Sequence, residues 1–322
     1  MRALELHAYE GPSGLRLAEA PVPVPADDEV LLKVDAIGIN YPDLLLTRGQ
    51  YQLKPELPMI PGCEIAGRIE SAPVASGWKA GDRAFAFVWN GGFAEYAVAP
   101  LKAVAPTPAA LTQEQAAAVG VNYATALFAL QNRGRLEAGE RVLVLGAGGG
   151  IGTAAIQIAR GLGAGVIAGV QNDAQRETAL EAGAEHAIVL EEGFSSRVAE
   201  LTGSRGVDVV VDPLGDWIFG EAVRTLAPEG RLLVIGFAAG DIPSIKVNRL
   251  LLRNVSVVGV AFGAFLDVDP ALLPRLAVTL DRLAEEGWLR PHIRQTFAFD
   301  EIPRALDLLG EARIQGKAVA VL

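Results

Sequence analysis

Residues 141–152 read RVLVLGAGGGIG, an apolar strand pattern that runs into five glycines within seven residues. A helical pattern begins directly afterwards, at Thr153. Bare backbone N–H groups at a helix N-terminus bind a pyrophosphate through unpaired donors and the helix dipole. A glycine run that only makes a tight turn would not need a strand before it and a helix after it. The stretch therefore predicts a dinucleotide site. Its phosphate contacts are Gly149, Gly150, Ile151 and Gly152.

Apolar β-branched runs alternate with amphipathic stretches from residue 139 onward, which is typical of βαβ units with a parallel sheet. Helices are expected at 150–162 and 174–182, the second ending before Gly183. Six strands make a complete dinucleotide-binding fold, in the order 3-2-1-4-5-6. The predicted strands are 141–145, 165–170, 186–190, 207–212, 231–235 and 255–260.

Residues 1–121 read differently, as short strands interrupted by glycine and proline, among them 30–36, 64–71 and 83–88. We assign the end of the chain to this mostly β module, so the dinucleotide-binding domain is an insertion. The tail elements are a helix at 270–287, a strand at 293–299, a helix at 302–311 and a strand at 318–322. The predicted domains are 1–122 with 264–322, and 123–263.

Composition excludes several classes of protein. Hydrophobic residues make up 51% of the 322 residues, which excludes a disordered chain. The net charge of −10 disfavours nucleic acids and anionic membranes as partners. The first residues lack the apolar region of a signal peptide, and no apolar run reaches 18 residues, so we expect a cytoplasmic protein without a membrane segment. The single cysteine, Cys63, excludes an intrachain disulfide.

The end of the second predicted strand bears on the choice between NADPH and NADH. An NAD enzyme is expected to carry an acid there for the ribose 2′-hydroxyl, but this chain has Gln171 followed by Asn172. Arg176 supplies a cation for a 2′-phosphate. Asp173 would disfavour that phosphate if its side chain turned inward. The pattern favours NADPH and leaves NADH possible.

Several motifs, in this order, resemble those of one family. They are Gly38-Ile39-Asn40-Tyr41-Pro42-Asp43, Pro61-Gly62-Cys63-Glu64-Ile65-Ala66-Gly67, Ala80-Gly81-Asp82-Arg83, Gly92-Phe93-Ala94-Glu95-Tyr96, the glycine run and Asp212-Pro213-Leu214-Gly215. Over nearly its whole length the chain resembles the medium-chain dehydrogenase/reductases, in particular the zinc-free NADPH:quinone oxidoreductases. The resemblance implies an α/β protein with a Rossmann doubly wound six-stranded parallel sheet inserted in a GroES-like, mostly β catalytic domain.

Departures from the zinc alcohol dehydrogenases define the subclass. Asn40 stands where those enzymes place a cysteine, Cys63 where they place a histidine, and alanines surround Ala117 in the third ligand region. A catalytic zinc needs three protein ligands and an open position, whereas Cys63 and Glu64 supply at most two. We therefore expect no zinc and no other metal.

Without a Lewis acid the expected reaction is hydride transfer to an electron-poor acceptor such as a quinone or an enone. The resemblance implies that Asn40 and Tyr41 act in catalysis, and that Tyr41, Tyr51 and Tyr123 line the acceptor pocket. Simple packing is an equally good interpretation of each tyrosine. Pro42 replaces a hydroxyl that relays protons, so water or Tyr41 supplies the final proton.

The resemblance also implies cofactor contacts outside the glycine run. Asn40 and Thr125 would approach the nicotinamide ribose and ring, although a turn asparagine and a back-bonded helix threonine are the alternatives. Lys317 would reach the cofactor from the tail unless it is a solvated surface lysine. Backbone contacts to the nicotinamide amide are expected from Gly236, Phe237, Ala238, Ala261, Phe262 and Gly263.

Other interpretations stay open at this point. A 2-enoyl thioester reductase would share the scaffold and would need arginines such as Arg48 or Arg249 at the site. A protein of another class would bind NADPH without catalysis, or would bind RNA, which the acidic balance disfavours. The sixth strand, within 254–260, is expected at a sheet edge and predicts a homodimer. The alternative is a monomer in which the tail helix covers that edge.

Overall fold

The computed structural model describes residues 1–322, which form two compact units. The first unit comprises Met1–Ala124, Gly263–Glu285 and Ile293–Leu322, and the second comprises Thr125–Phe262 and Glu286–His292. The short segment 286–292 was expected in the first unit. It joins the second because the backbone of Arg290 donates to and accepts from the side chain of Gln157, over distances of 2.9 Å each.

The strands are short, and most begin or end at glycine or proline turns. Those of the first half are β1 Arg2–Leu6, β2 Leu15–Glu19, β3 Glu29–Ile39, β4 Glu64–Ser71, β5 Arg83–Phe87, β6 Tyr96–Pro100 and β7 Val104–Pro106. Those of the second half are β8 Arg141–Leu145, β9 Gly165–Val170, β10 His186–Val189, β11 Val207–Asp212, β12 Leu226–Val234, β13 Ser256–Gly259, β14 Gln295–Ala298 and β15 Ala318–Val321.

The helices are α1 Tyr41–Thr47, α2 Gln113–Ala116, α3 Ala124–Leu127, α4 Gly150–Gly161, α5 Asp173–Glu181, α6 Phe194–Leu201, α7 Asp216–Thr225, α8 Asn248–Leu251, α9 Phe262–Val268, α10 Leu272–Glu285 and α11 Ile302–Gly310. Two π-helical turns, Val119–Tyr123 and Phe128–Arg133, flank α3. None of the helices combines the length and the apolar character that crossing a bilayer requires.

The second unit holds a six-stranded parallel sheet in the order β10-β9-β8-β11-β12-β13. This is the predicted order 3-2-1-4-5-6, and the doubly wound fold is confirmed. Strand β11 is buried at every position because helices cover both faces of a parallel sheet. The strand that carries the glycine run, β8, lies between β9 and β11, so the loop after it stands at the centre of the carboxyl edge.

Strand β12 begins earlier than the sequence pattern predicts. Leu226 already pairs with Val207, and the regular register resumes at Arg231 opposite Val209. The residues between them form a bulge in which Glu229 has a φ of 64°. The predicted start at 231 was wrong because Pro228 and Gly230 look like a strand break in sequence, whereas a bulge accommodates both.

The first unit contains a seven-stranded sheet that follows β14-β15-β3-β4-β5-β7, with β6 also paired to β3, and a separate β1–β2 pair. Strand β3 is the longest and joins three neighbours, since it pairs with β4, β6 and β15 along different parts of its length. Strand β15 of the tail pairs antiparallel with β3. This pairing brings residue 317, which precedes β15, next to residue 40, which follows β3.

Candidate active site

A buried polar cluster lies at the end of β3 in the first unit. It consists of the side chains of Asn40, Asp43, Glu64, Asn122 and Lys317, all classed as buried. Asn40 precedes α1 and Glu64 begins β4, while Asn122 lies on the first π-helical turn. Strand pairing and the first π-helical turn thus bring together five polar residues from four separate stretches of sequence.

The ammonium group of Lys317 is the centre of this cluster. Its Nζ lies 2.5 Å from Glu64 Oε2, 2.6 Å from Asn40 Oδ1 and 3.3 Å from Asn122 Oδ1. Asn40 Nδ2 donates to the same Glu64 oxygen at 3.0 Å and to the carbonyl of Gly38 at 3.1 Å. Lys317 is 4% exposed, so the surface-lysine alternative is wrong.

Glycine at position 38 makes room for the ion pair. A Cβ there would lie 2.3 Å from Glu64 Oε2 and 2.1 Å from the carbonyl oxygen of Ala117. Neither atom can retreat easily, because Glu64 is held by Lys317 on one side and accepts from Val121 N at 2.6 Å on the other. The glycine of the Gly38-Ile39-Asn40 motif is therefore required by packing and not by backbone conformation.

Asp43 and Cys63 hold the neighbouring loops together. The Asp43 carboxylate accepts from Asn40 N at 2.9 Å and from Cys63 N at 3.0 Å. Burial raises the pKa of this carboxyl to about 6, although those two N–H groups and the charge of Lys317 oppose the shift. Burial also raises the pKa of the Cys63 thiol well above its usual range, so this cysteine is not an activated nucleophile.

The three tyrosines predicted for the acceptor pocket all belong to the first unit. Tyr41 and Tyr51 are half-buried and pack against the apolar core, whereas Tyr123 is buried. Burial raises the pKa of Tyr123 and, with smaller contributions from Cys63 and Asp43, that of Tyr51. Tyr51 and Tyr123 therefore stay protonated over a wide pH range and can donate hydrogen bonds.

In the second unit the glycine loop leads from β8 into α4. Gly146 has a φ of 61°, and a Cβ on Gly152 would lie 2.3 Å from the carbonyl oxygen of Gly146. The loop thus needs glycine at both positions to close tightly. Gly149 caps α4 without a side-chain hydrogen bond, so the N–H groups of the first turn remain available to a ligand.

Side chains next to this loop follow the end of β9. Asn172 caps α5 by accepting from Gln175 N at 3.0 Å, and Gln175 in turn accepts from Gln171 N at 2.9 Å. Arg176 donates to the carbonyl of Ala187 at 2.8 Å. The Asp173 side chain is 95% exposed and pairs with Arg176, so it does not turn inward.

The remaining predicted cofactor residues are distributed over both units. Thr125 is buried, and its hydroxyl does not bond back to the preceding turn. The residues 236–238 follow β12 and the residues 261–263 follow β13, at the carboxyl edge of the sheet, where Phe262 begins α9.

Sequence reasoning did not single out Asn122 or Asp212 as site residues. Asn122 sits next to Tyr123 in the chain, and that neighbourhood was its only signal. Asp212 ends β11; its Oδ1 accepts from Leu214 N and Gly215 N, while its enclosed Oδ2 has no partner. Burial raises the pKa of the Asp212 carboxyl.

The chain is similar to known proteins over its full length. Residues 26–109 match the family described as "Alcohol dehydrogenase GroES-like domain", and residues 150–277 match "Zinc-binding dehydrogenase". A quinone oxidoreductase-like protein 2 of Bos taurus is 37% identical over 91% of this chain and 85% of the relative.

Solved structures of oxidoreductases are similar to this chain over its whole length. A probable oxidoreductase from Mycobacterium abscessus has a TM-score of 0.92 with 45% identity, covering 100% of this chain and 99% of that one. The Escherichia coli quinone oxidoreductase complexed with NADPH has a TM-score of 0.91 with 26% identity and covers 100% of both chains.

A parallel dinucleotide-binding sheet together with a mostly antiparallel GroES-like unit defines a two-unit NAD(P)H-dependent oxidoreductase. More particularly, the chain belongs to the medium-chain dehydrogenase/reductases of the quinone oxidoreductase type.

The raised pKa of Asp43 predicts a pH effect on stability. The folded-state pKa of about 6 lies above the unfolded value of about 3.9, so the folded protein binds the proton more tightly. Ionisation of Asp43 then lowers the free energy of unfolding by roughly 1.4 kcal/mol for each pH unit between about 4 and 6. We expect the free energy of unfolding of the wild type to fall relative to Asp43→Asn as pH rises through this window, measured by urea denaturation.

The matched control is Asp27→Asn, which makes the same substitution at an exposed carboxyl and is measured over the same pH range. A pH-independent difference for Asp43→Asn would mean that Asp43 titrates normally.

Proposed function

We propose that this protein reduces quinones or related conjugated carbonyls by hydride transfer from NADPH, without a catalytic zinc. The observation that carries the proposal is the polar cluster around Lys317, whose ammonium group donates to the Glu64 carboxylate and to two amide oxygens where a zinc enzyme would place metal ligands. A site of this composition can bind and orient a substrate through hydrogen bonds, but it cannot polarise an alcohol as a Lewis acid does.

The residues in the cluster do not fit a catalytic zinc. The Asn40 amide is a poor zinc ligand, and Glu64 is already neutralised by Lys317. The remaining candidate, Cys63, is held in its thiol form by burial, whereas a zinc ligand must be a thiolate. A second cation would also be repelled by the ammonium group.

The preference for NADPH is supported by the residues after β9. Asp173 is 95% exposed, and its carboxylate is paired with Arg176 Nε at 3.3 Å. Arg176 donates to Ala187 O through Nη1 and to Asp173 through Nε, which leaves the third guanidinium nitrogen, Nη2, for a 2′-phosphate. Gln171 and Asn172 add no negative charge. The relatives described as NADPH complexes are consistent with this proposal.

Bound NADPH supplies the hydride. The chain positions the acceptor and excludes water, and a proton from water or from a tyrosine hydroxyl completes the reduction of a quinone to a hydroquinone. The proposed groups are Asn40 and Tyr41 for catalysis, with Tyr51 and Tyr123 lining the pocket. Thr125 and the backbones of 236–238 and 261–263 are proposed to contact the nicotinamide.

A direct assay tests this function. We expect the purified protein to oxidise NADPH with 1,4-benzoquinone, to contain less than a stoichiometric amount of zinc, and to keep its full rate in EDTA, because no zinc site can form. Loss of activity in EDTA that zinc restores would contradict the zinc-free reaction.

The competing functions are outcomes of the same assay. Faster turnover with crotonyl-CoA than with the quinone would identify an enoyl thioester reductase. NADPH binding without turnover of either acceptor would indicate a non-catalytic NADPH-binding protein. Tight binding to single-stranded RNA, measured separately, would indicate an RNA-binding protein. The proposed cytoplasmic location is independent of these results.

The cofactor preference is tested at Arg176. We expect Arg176→Ala to weaken NADPH binding roughly 10- to 100-fold and to leave NADH binding nearly unchanged, because one charge-assisted phosphate contact is worth ~1.5 to 3 kcal/mol. Fluorescence titration of both dinucleotides measures this. Arg197→Ala removes an exposed arginine of another helix and is the control. Tighter binding of NADH by the wild type would refute the preference.

We also propose a homodimer formed through the edge strand. Strand β13 ends the sheet, and Ser256, Val257 and Gly259 are exposed within the single chain. Apolar side chains of the preceding segment are exposed too, among them Ile242, Val247, Leu251 and Leu252. Pairing of two β13 strands about a two-fold axis would satisfy the open edge and cover these side chains.

The dimer is tested with a charge on the edge strand. Val257 is 37% exposed, so Val257→Lys should weaken association without disturbing the core, whereas Val255 is buried and unsuitable. Light scattering at micromolar concentration should show a dimer for the wild type and for the control Val278→Lys, whose side chain is exposed on α10. A monomeric wild type would end this proposal.

A further inference from the structure

The hydrogen bonds of Lys317 determine which way two buried amides face. A lysine ammonium group has three N–H donors and no acceptor, so each atom within hydrogen-bond distance of it must be an acceptor. The three partners are Glu64 Oε2, Asn40 Oδ1 and Asn122 Oδ1. All three donors of Lys317 are therefore used within the protein, and both amide oxygens point at the ammonium group.

The amide of Asn40 consequently has no hydrogen to offer a ligand. Its two N–H donors go to the carbonyl of Gly38 and to Glu64 Oε2. Its oxygen accepts once, from Lys317, and an amide oxygen has two lone pairs. Asn40 can thus recognise a hydroxyl group through the remaining lone pair, but it cannot donate to a carbonyl oxygen.

The amide of Asn122 has the opposite character. Its oxygen is occupied by Lys317, whereas its nitrogen has no hydrogen-bond partner in the protein. The residue is 6% exposed, yet this nitrogen is not among the enclosed polar atoms that lack a partner, so a ligand or water molecule can reach it. A nearly buried amide with free donors is costly unless a ligand oxygen accepts from it.

We propose that Lys317 is a positioning residue that holds Asn40 as a hydrogen-bond acceptor and Asn122 as a hydrogen-bond donor. Asn40 then recognises a hydroxyl group, and Asn122 recognises a carbonyl oxygen. This inference rests on the proposed function for the ligands: the hydroxyl is one of the nicotinamide ribose, and the carbonyl belongs to the acceptor or to the nicotinamide carboxamide. Lys317 acts through these amides and not by touching the cofactor.

The Glu64 carboxylate also fixes the orientation of the Asn40 amide. It accepts from Lys317 and from Asn40 Nδ2 with one oxygen and from Val121 N with the other. In the double variant Glu64→Gln/Lys317→Met both charges of the ion pair are removed together, so neither partner is left as an unpaired buried charge. The neighbouring Asp43 carboxyl keeps its two backbone donors, Asn40 N and Cys63 N. The new amide nitrogen at position 64 then faces Asn40 Nδ2, and two facing donors force the Asn40 amide to rotate.

The first measurement is cofactor affinity. We expect the double variant to bind NADPH roughly 3- to 10-fold more weakly than the wild type, the loss of about one neutral hydrogen bond. The adenosine 2′,5′-bisphosphate fragment lacks the nicotinamide ribose, so its affinity should not change. The control Lys33→Met, an exposed lysine on β3, should bind both ligands normally. Unchanged NADPH affinity in the double variant would overturn the proposal.

A double-mutant cycle separates positioning from a general structural effect. In an Asn40→Ala background the charge-neutral substitutions should change NADPH affinity by less than about 2-fold, because the amide through which they act is absent. If the two effects multiply independently, Lys317 does not act through Asn40. Thermal unfolding of each variant shows whether the first unit is folded.

The role of Asn122 is tested by Asn122→Ala. A higher KM for 1,4-benzoquinone with unchanged NADPH affinity would assign the carbonyl to the acceptor, and weaker NADPH binding with an unchanged KM would assign it to the carboxamide. No change in either value would overturn the assignment of Asn122.

A readout without cofactor keeps this inference separate from the proposed function. In the wild type both side-chain amide protons of Asn40 are hydrogen-bonded and buried, so they should exchange slowly with solvent in NMR spectra, whereas those of Asn122 exchange quickly. The double variant should lose the protection at Asn40. If the wild type fails to bind NADPH but shows this difference, the proposed function fails and the positioning by Lys317 stands. Equal exchange at the two amides refutes the positioning.

Discussion

The buried ion pair between Lys317 and Glu64 is the constraint on which the rest of the first unit depends. Two charges out of water are tolerated only when their geometry and the surrounding hydrogen bonds are nearly complete. Here Gly38 gives the carboxylate space, Val121 N and Asn40 Nδ2 complete its hydrogen bonds, and strand pairing brings the lysine to it. Removing one partner of such a pair typically lowers the free energy of unfolding by about 3 to 5 kcal/mol. The strand register that brings Lys317 to Glu64 and the polar site that results therefore depend on each other.

Much of the fold could be predicted because its signals are local. The glycine run, the period of the apolar residues and the strand lengths lie within short windows, and they were sufficient for the six-stranded sheet and its order. The errors fell where long-range contacts decide. The start of β12 depends on pairing with Val207, and the placement of 286–292 depends on one glutamine of α4.

The site was less predictable for the same reason. Asn40 and Lys317 could be selected from the resemblance, but the hydrogen bond between them spans 277 residues, and no local pattern reveals it. The direction of the Asp173 side chain depends on its rotamer and on Arg176, which sequence spacing does not fix. Asn122 had no signal beyond its position next to Tyr123, because its role depends on the lysine that occupies its oxygen. Properties that depend on the residue type alone can be predicted from the sequence. Properties that depend on a hydrogen-bond partner distant in the chain cannot.

The separation of the ion pair along the chain has a consequence for biosynthesis. Glu64 leaves the ribosome 253 residues ahead of Lys317, and at about 5 to 20 residues per second its counter-charge arrives on the order of 10 to 50 s later. During that interval the N-terminal strands can bury the Glu64 carboxylate only at a high free-energy cost, because its counter-charge is missing. Every strand of the parallel sheet has been synthesised before residue 317. Vectorial synthesis therefore favours a nascent chain in which the dinucleotide-binding sheet matures first, and the polar cluster closes around Glu64 only after the segment carrying residue 317 emerges.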